Sequence, residues 1–202
     1  MIKLIIFDLS EVCFNSEETI YLKEFSQRHN LNYEELVNFY DQLLIQAEIG
    51  TISGKEIWDK IFIRFGIENE TFEKVLKEMM ALRKPNADTL KFVKELRKKY
   101  KTAYLTNYNK DYWEFLIKQF DLNPYFDYGV VSYQIKARKP SAEGIKKILT
   151  HFAVKPQETI FTDDLVKNLI EADKLGINTI HFEHIDLFKD LLEDFKVNIG
   201  EE

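Results

Sequence analysis

A single cysteine, Cys13, stands in a chain of 202 residues. It excludes an intramolecular disulfide and favours a reducing compartment, so a cytoplasmic location is expected. Cys13 lies in a mostly apolar patch with no partner histidine in a nucleophile motif, and it reads as a small buried thiol. Excess positive charge is also missing: 28 basic residues stand against 34 acidic ones, for a net charge of −6, and no basic block stands out. Nucleic acid and anionic membrane both demand a concentrated positive surface, so neither is expected as a partner. A small anion held by local charge is untouched by that argument. Long apolar runs are absent as well. The four apolar residues from Leu4 to Phe7 are too few for a signal peptide, and no stretch approaches the ~20 needed to span a bilayer. There is no internal repeat and no low-complexity segment.

What is present describes a soluble globular chain, 45% hydrophobic and 31% charged. Its length suits one domain, or one core domain with a modest insertion. The run Leu4-Ile5-Ile6-Phe7 suits a strand buried on both faces, and it stops abruptly at Asp8. Either Asp8 starts an ordinary turn, or it is a carboxylate at the strand end where open α/β sheets bind ligands.

From Ser16 to Lys84 only helical signals appear. Ser16 with Glu17 and Glu18 caps a helix reaching about His29. Asn32 and Glu35 open a second helix to Ala47, and Ser53-Gly54-Lys55-Glu56 has capping-box spacing and opens a third. A fourth spans Glu70 to Arg83, and Glu48-Ile49-Gly50-Thr51 forms a tight loop between the second and third. After Pro85 helices and strands alternate. Strands are expected at Thr102–Thr106, Gly129–Ser132, Thr159–Thr162 and Asn178–Phe182. Helices are expected over Leu90–Tyr100, Trp113–Gln119, Ile145–Phe152, Leu165–Ala172 (closed by Gly176) and Ile185–Phe195. Such alternation predicts an α/β fold, a parallel sheet with helices on both faces. The acidic end, Gly200-Glu201-Glu202, reads as a frayed tail.

Strand ends in a parallel sheet share one edge, so Asp8, Thr106, the segment leading to Lys139, and Asp163-Asp164 can converge. Together they are a coherent set for phosphoryl transfer with a hard metal. Asp8 can attack phosphorus to give an acyl phosphate. Asp8 and Asp163 can share Mg²⁺, an ion that prefers oxygen ligands. Lys139 can neutralise the transferring group, and Thr106 can donate to a non-bridging oxygen. Each also has an ordinary counterpart: Thr106-Asn107 as the polar start of a loop, Lys139-Pro140-Ser141 as a helix entry with a solvated lysine. Asp163-Asp164 is harder to explain that way, because adjacent carboxylates ending a buried strand repel unless something positive is near.

The ordered segments Ile-Ile-Phe-Asp8, Tyr-Leu-Thr106-Asn107, Arg138-Lys139-Pro140, Phe-Thr-Asp163-Asp164 and Lys174-Leu-Gly176 resemble the haloacid dehalogenase-like hydrolase superfamily over essentially the whole chain. The match is to the branch with a small helical cap inserted after the first strand, which includes sugar-phosphate phosphatases of the glucose-1-phosphatase type. The resemblance implies a Rossmann-like core at 1–15 and 85–202 and an all-helical cap at 16–84. It implies an Mg²⁺-dependent phosphatase acting on a small phosphorylated metabolite through an aspartyl-phosphate on Asp8. Thr106, Asn107 and Lys139 would bind the phosphoryl group, and Asp8, Asp163 and the carbonyl of Ser10 would hold the metal. Asp164 would act close to the metal and Asn168 would brace the loop.

One residue departs from the pattern. Two positions after the nucleophile these phosphatases usually carry a second aspartate, the general acid for the leaving oxygen, and this chain has Ser10. A serine hydroxyl is too weak an acid to replace it, and general acid–base catalysis contributes about 10²–10⁴-fold. Glu11 is a substitute acid one residue later, unless it points into solvent. Three readings follow: the phosphatase; a non-catalytic or weakly active member that binds a phosphorylated ligand; and a metal-independent haloacid dehalogenase, against which the Asp163-Asp164 pair argues. Residues 48–51 and Tyr40 on the cap, with Phe14, Asn15, Tyr108 and Asn109 on the core, are expected around the pocket. Both a monomer and a homodimer are compatible with the sequence.

Overall fold

The computed structural model describes residues 1–15 and 18–197. Strand β1 (Leu4–Phe7) is fully buried. It sits at the centre of a five-stranded parallel sheet of order β3-β2-β1-β4-β5, with β2 Lys101–Thr106, β3 Tyr128–Val131, β4 Thr159–Asp163 and β5 Asn178–His181. Side chains alternate along a strand, so β1 feeds two cores. Leu4 and Ile6 pack towards helices α8 (Glu143–Phe152) and α9 (Val166–Lys174). Ile5 and Phe7 pack towards α5 (Ala87–Leu96), α6 (Lys110–Gln119) and α10 (Ile185–Asp194). A strand covered on both faces has no polar side to show, which is why its sequence is one apolar run. Cys13 is buried just beyond it, and burial pushes its thiol well above the ordinary range.

Four helices lie between β1 and α5: α1 (Glu18–Arg28), α2 (Tyr33–Glu48), α3 (Gly54–Phe65) and α4 (Phe72–Ala81). Asn32 accepts from the Glu35 amide at 2.9 Å, and Ser53 and Glu56 complete the capping box. The unit closes on Trp58, ringed by Tyr21, Phe25 and Tyr40. It docks on α6, where Trp58 Nε1 donates to the Tyr112 hydroxyl at 2.8 Å and the Gly54 amide donates to Asp111 at 2.6 Å. At the other end Gly50 has φ +73° and lies so close to the Tyr133 carbonyl that a Cβ would stand 3.1 Å from it. That approach brings the end of α2 against the short helical turn that follows β3.

Several boundaries differ from expectation. Ser132 opens a short helix, α7 (Ser132–Ile135), instead of ending β3, because its hydroxyl bridges the Tyr108 backbone at 3.1 and 3.2 Å. Helix α4 stops at Ala81, and Arg83, expected inside it, turns inward and is buried. Helix α6 starts three residues earlier than the apolar pattern indicates, capped by Asn109. The Ser16 cap and the tail at 200–202 lie outside the described residues. Among the described residues no helix is long and apolar enough to cross a membrane.

Candidate functional site

The chain leaves β1 for β2 on one side and reaches β4 on the other, so the crevice beside β1 is a topological switch point, where open α/β sheets bind ligands. Asp8 stands at that point. Its amide continues the sheet ladder, donating to the Thr162 carbonyl at 2.9 Å, and its Oδ1 accepts from the Leu9 amide at 2.6 Å. Asp163 ends β4 and is fully buried. Its Oδ1 accepts from the Leu165 amide and from Asn168 Nδ2, both at 2.9 Å. The ammonium of Lys139 bridges the two strand ends, 2.7 Å from Asp8 Oδ1 and 2.6 Å from Asp163 Oδ2.

Asp164 completes a group of three carboxylates whose oxygens lie within 4.8 Å of one another. One lysine does not balance three such groups. Burial lifts the Asp8 carboxyl to about 7, against the pull of Lys139 and with the push of Asp163. Burial and Asp163 lift Asp164 to about 6. Burial alone would strip the Lys139 proton, but Asp8 and Asp163 outweigh it and hold the ammonium above its usual range. Excess negative charge on hard oxygen donors is the environment a divalent cation such as Mg²⁺ requires. The residues present fit such an ion.

Thr106, at the end of β2, is buried, and its Oγ1 has no hydrogen-bond partner among the described residues. An unpaired buried hydroxyl costs about 1–3 kcal/mol, which a ligand oxygen in the crevice would relieve. Asn107 lines the same cleft. Its amide clamps the backbone of Lys139, accepting from that N–H at 2.9 Å and donating to its carbonyl at 3.3 Å. It lines the cleft but is committed to holding the lysine loop. Asn168, for which the resemblance implies a bracing part in the loop, donates to Asp163 across the turn after β4.

These groups open into a cleft of about 390 Å³, within the range of small-molecule sites. Asp8, Thr106, Lys139 and Asp164 form its floor, and Glu18, Thr19 and Glu48 line it from the helical unit. Glu48 is held by Arg138 at 2.6 Å. Ser10, Glu11 and Tyr108 also line it. The Ser10 hydroxyl accepts from Arg83 Nη1 at 3.4 Å, and the same nitrogen donates to the Tyr108 hydroxyl.

Not every expected neighbour reaches the cleft. Tyr40 is buried inside the helical unit against Trp58, its hydroxyl donating to Tyr112 at 3.4 Å. Phe14 packs edge-on against Phe120, and Asn109 is spent capping α6. Asn15 is exposed and pairs through its backbone with Lys84. Glu18, Thr19 and Arg138 were not anticipated as cleft residues. Arg138 had a signal in its place beside Lys139. Glu18 had none beyond membership of an acidic first turn.

Residues 5–182 match the family model described as haloacid dehalogenase-like hydrolase. A glyceraldehyde 3-phosphate phosphatase of Methanocaldococcus jannaschii is 27% identical, the match covering 98% of this chain and 93% of that one. A HAD family enzyme from Bacteroides thetaiotaomicron, solved with magnesium and inorganic phosphate, superposes with a TM-score of 0.79 at 27% identity, covering 93% of this chain and 100% of the other. A predicted HAD-like hydrolase from Porphyromonas gingivalis superposes at 0.74 with 25% identity, covering 95% and 98%.

Proposed function

Because the chain belongs to the haloacid dehalogenase-like hydrolases, we propose that it is an Mg²⁺-dependent phosphatase that transfers the phosphoryl group of a small sugar phosphate-like metabolite to Asp8 and then to water. The observation that carries this reading is the Lys139 ammonium seated between Asp8 and Asp163, with a third carboxylate beside them. Two similar proteins add support: one is a glyceraldehyde 3-phosphate phosphatase, and another was solved with magnesium and inorganic phosphate.

Asp8 is the nucleophile, fixed by its place in the sheet ladder so that little reorganisation precedes attack. Lys139 sets a permanent positive charge beside it, and Asn107 keeps the lysine loop in place. Thr106 offers its unpaired hydroxyl to a phosphoryl oxygen. Asp8, Asp163, Asp164 and the Ser10 carbonyl would hold Mg²⁺, which when bound supplies further positive charge to the phosphoryl oxygens. Residues 16–84 act as a cap over a core of 1–15 and 85–202, excluding water and meeting the leaving group through Glu18, Thr19 and Glu48.

The test is hydrolysis of an aryl phosphate with and without added Mg²⁺, in the natural chain and in Asp8→Asn. Turnover should require the metal and vanish in the variant. Metal-independent turnover of a haloacid would overturn the reading. Ser10 favours a second one, a member that binds a phosphorylated ligand without turning it over; binding of phosphate in the absence of any hydrolysis would select it.

A further inference from the structure

We propose that Glu18, on the first turn of α1, is the proton donor for the leaving group, doing from the cap what Ser10 cannot do from the core. The proposal rests on the phosphatase reading above. Among the described residues the carboxyl groups lining the cleft are Asp8, Asp164, Glu11, Glu18 and Glu48. Asp8 and Asp164 belong to the carboxylate cluster that would hold the metal. Glu48 is tied to Arg138 at 2.6 Å, an ion pair that proton donation and recapture would have to break and remake, although burial raises its carboxyl above the usual range. Glu11 is exposed, on a loop residue with φ +58°, and not enclosed between cap and core. Glu18 is left.

Its surroundings suit the task. The side chain is 26% exposed, open to the cleft on one side and facing Arg83 on the other. The Arg83 guanidinium is buried and already engaged by Ser10 and Tyr108, so it reaches Glu18 Oε1 only at 3.7 Å. That is long for a hydrogen bond. It does not lock the carboxylate, yet it lies near enough to stabilise the anion that proton donation creates. Asp41 on α2 and Glu11 on the loop after β1 face the same group with negative charge. Burial raises the Glu18 carboxyl above its usual range, against Arg83 and with Asp41 and Glu11.

The step balances as follows. An Asp8 carboxylate oxygen bonds to phosphorus while the phosphorus–oxygen bond to the leaving group breaks, its electron pair staying on that oxygen. The oxygen takes the Glu18 proton and departs as a neutral alcohol. Glu18, now a carboxylate beside Arg83, accepts a proton from the water that attacks the aspartyl-phosphate. Inorganic phosphate leaves, and Asp8 carboxylate and protonated Glu18 are restored.

The experiment compares kcat/KM for p-nitrophenyl phosphate, whose leaving group needs little protonation, with that for glycerol 3-phosphate, whose leaving group needs it, both in saturating Mg²⁺. Glu18→Gln should lose about 10²-fold on the alkyl ester and at least tenfold less on the aryl ester. Glu18→Asp should fall between, and adding Ser10→Asp to Glu18→Gln should recover most of the alkyl activity. Equal losses on both esters, no loss on either, or the selective loss appearing in Glu11→Gln instead would overturn the proposal. So would a natural chain that cleaves only the aryl ester. A natural chain that cleaves neither ester overturns the phosphatase reading itself, and this proposal with it.

Discussion

Asn168 donates its side-chain amide to Asp163 Oδ1 at 2.9 Å, which leaves the other oxygen of that carboxylate to the Lys139 ammonium at 2.6 Å. Each oxygen therefore has a separate task, one anchoring the carboxylate and one facing the chemistry. Groups that orient a ligand in this way typically govern metal affinity by 10–100-fold. Asn168→Ala should raise the Mg²⁺ concentration for half-maximal activity by about that factor, while the rate at saturating Mg²⁺ falls less. A lost rate that no amount of Mg²⁺ restores would assign Asn168 a different role.

The acidic floor makes stability depend on pH in a definite sense. Asp8 and Asp164 are lifted from 3.8 to about 7 and about 6. Between the unfolded value and those folded values the native state binds more protons, so stability of the metal-free protein falls as pH rises through that window. Mg²⁺ must displace those protons at low pH and meets free carboxylates at high pH. The rise in melting temperature on adding Mg²⁺ should therefore be larger at pH 8 than at pH 5. An equal shift at both values would place the ion elsewhere.

Thr106 separates activity from stability. Its hydroxyl is buried without a partner among the described residues, so replacing it by a methyl of the same shape removes a desolvated group and none of the hydrogen bonds seen there. Thr106→Val should leave the melting temperature unchanged or raised and lower kcat/KM by about 10²-fold, the scale of one lost oxyanion donor. A lower melting temperature with full activity would make the hydroxyl part of the fold.

The sheet and its polar edge were legible in the sequence because buried parallel strands are apolar runs, and Asp8, Thr106 and Asp163 each interrupt one. Helices α2 and α3 were legible from Asn32, Ser53 and Glu56, whose side chains close the first turns. Ser132–Ile135 was not, because four residues carry no period. Charged residues escaped for a different reason. Glu18 beside Glu17 reads as an acid suited to a helix start, and Arg83 as a cation ending one. Local spacing says which side chains avoid the core, and only the packed cleft says which of those face substrate.

Gly129 shows the same limit from the backbone side. A Cβ there would stand 1.8 Å from the ring of Tyr104 on the neighbouring strand, so this β3 position admits no side chain while Tyr104 packs on Trp113 and Phe126. In sequence it is one glycine before two valines, with nothing to name the ring that excludes every alternative.

The ladder bond from the Asp8 amide to Thr162 carries one more consequence. An amide in the central ladder of a buried sheet opens to solvent only when the whole sheet does. Hydrogen exchange at the Asp8 amide should therefore be as slow as that of Ile5 or Ile6, and slower than at Glu18 by orders of magnitude. The helices that line the cleft opposite can then open and close locally while the Asp8 backbone stays at rest.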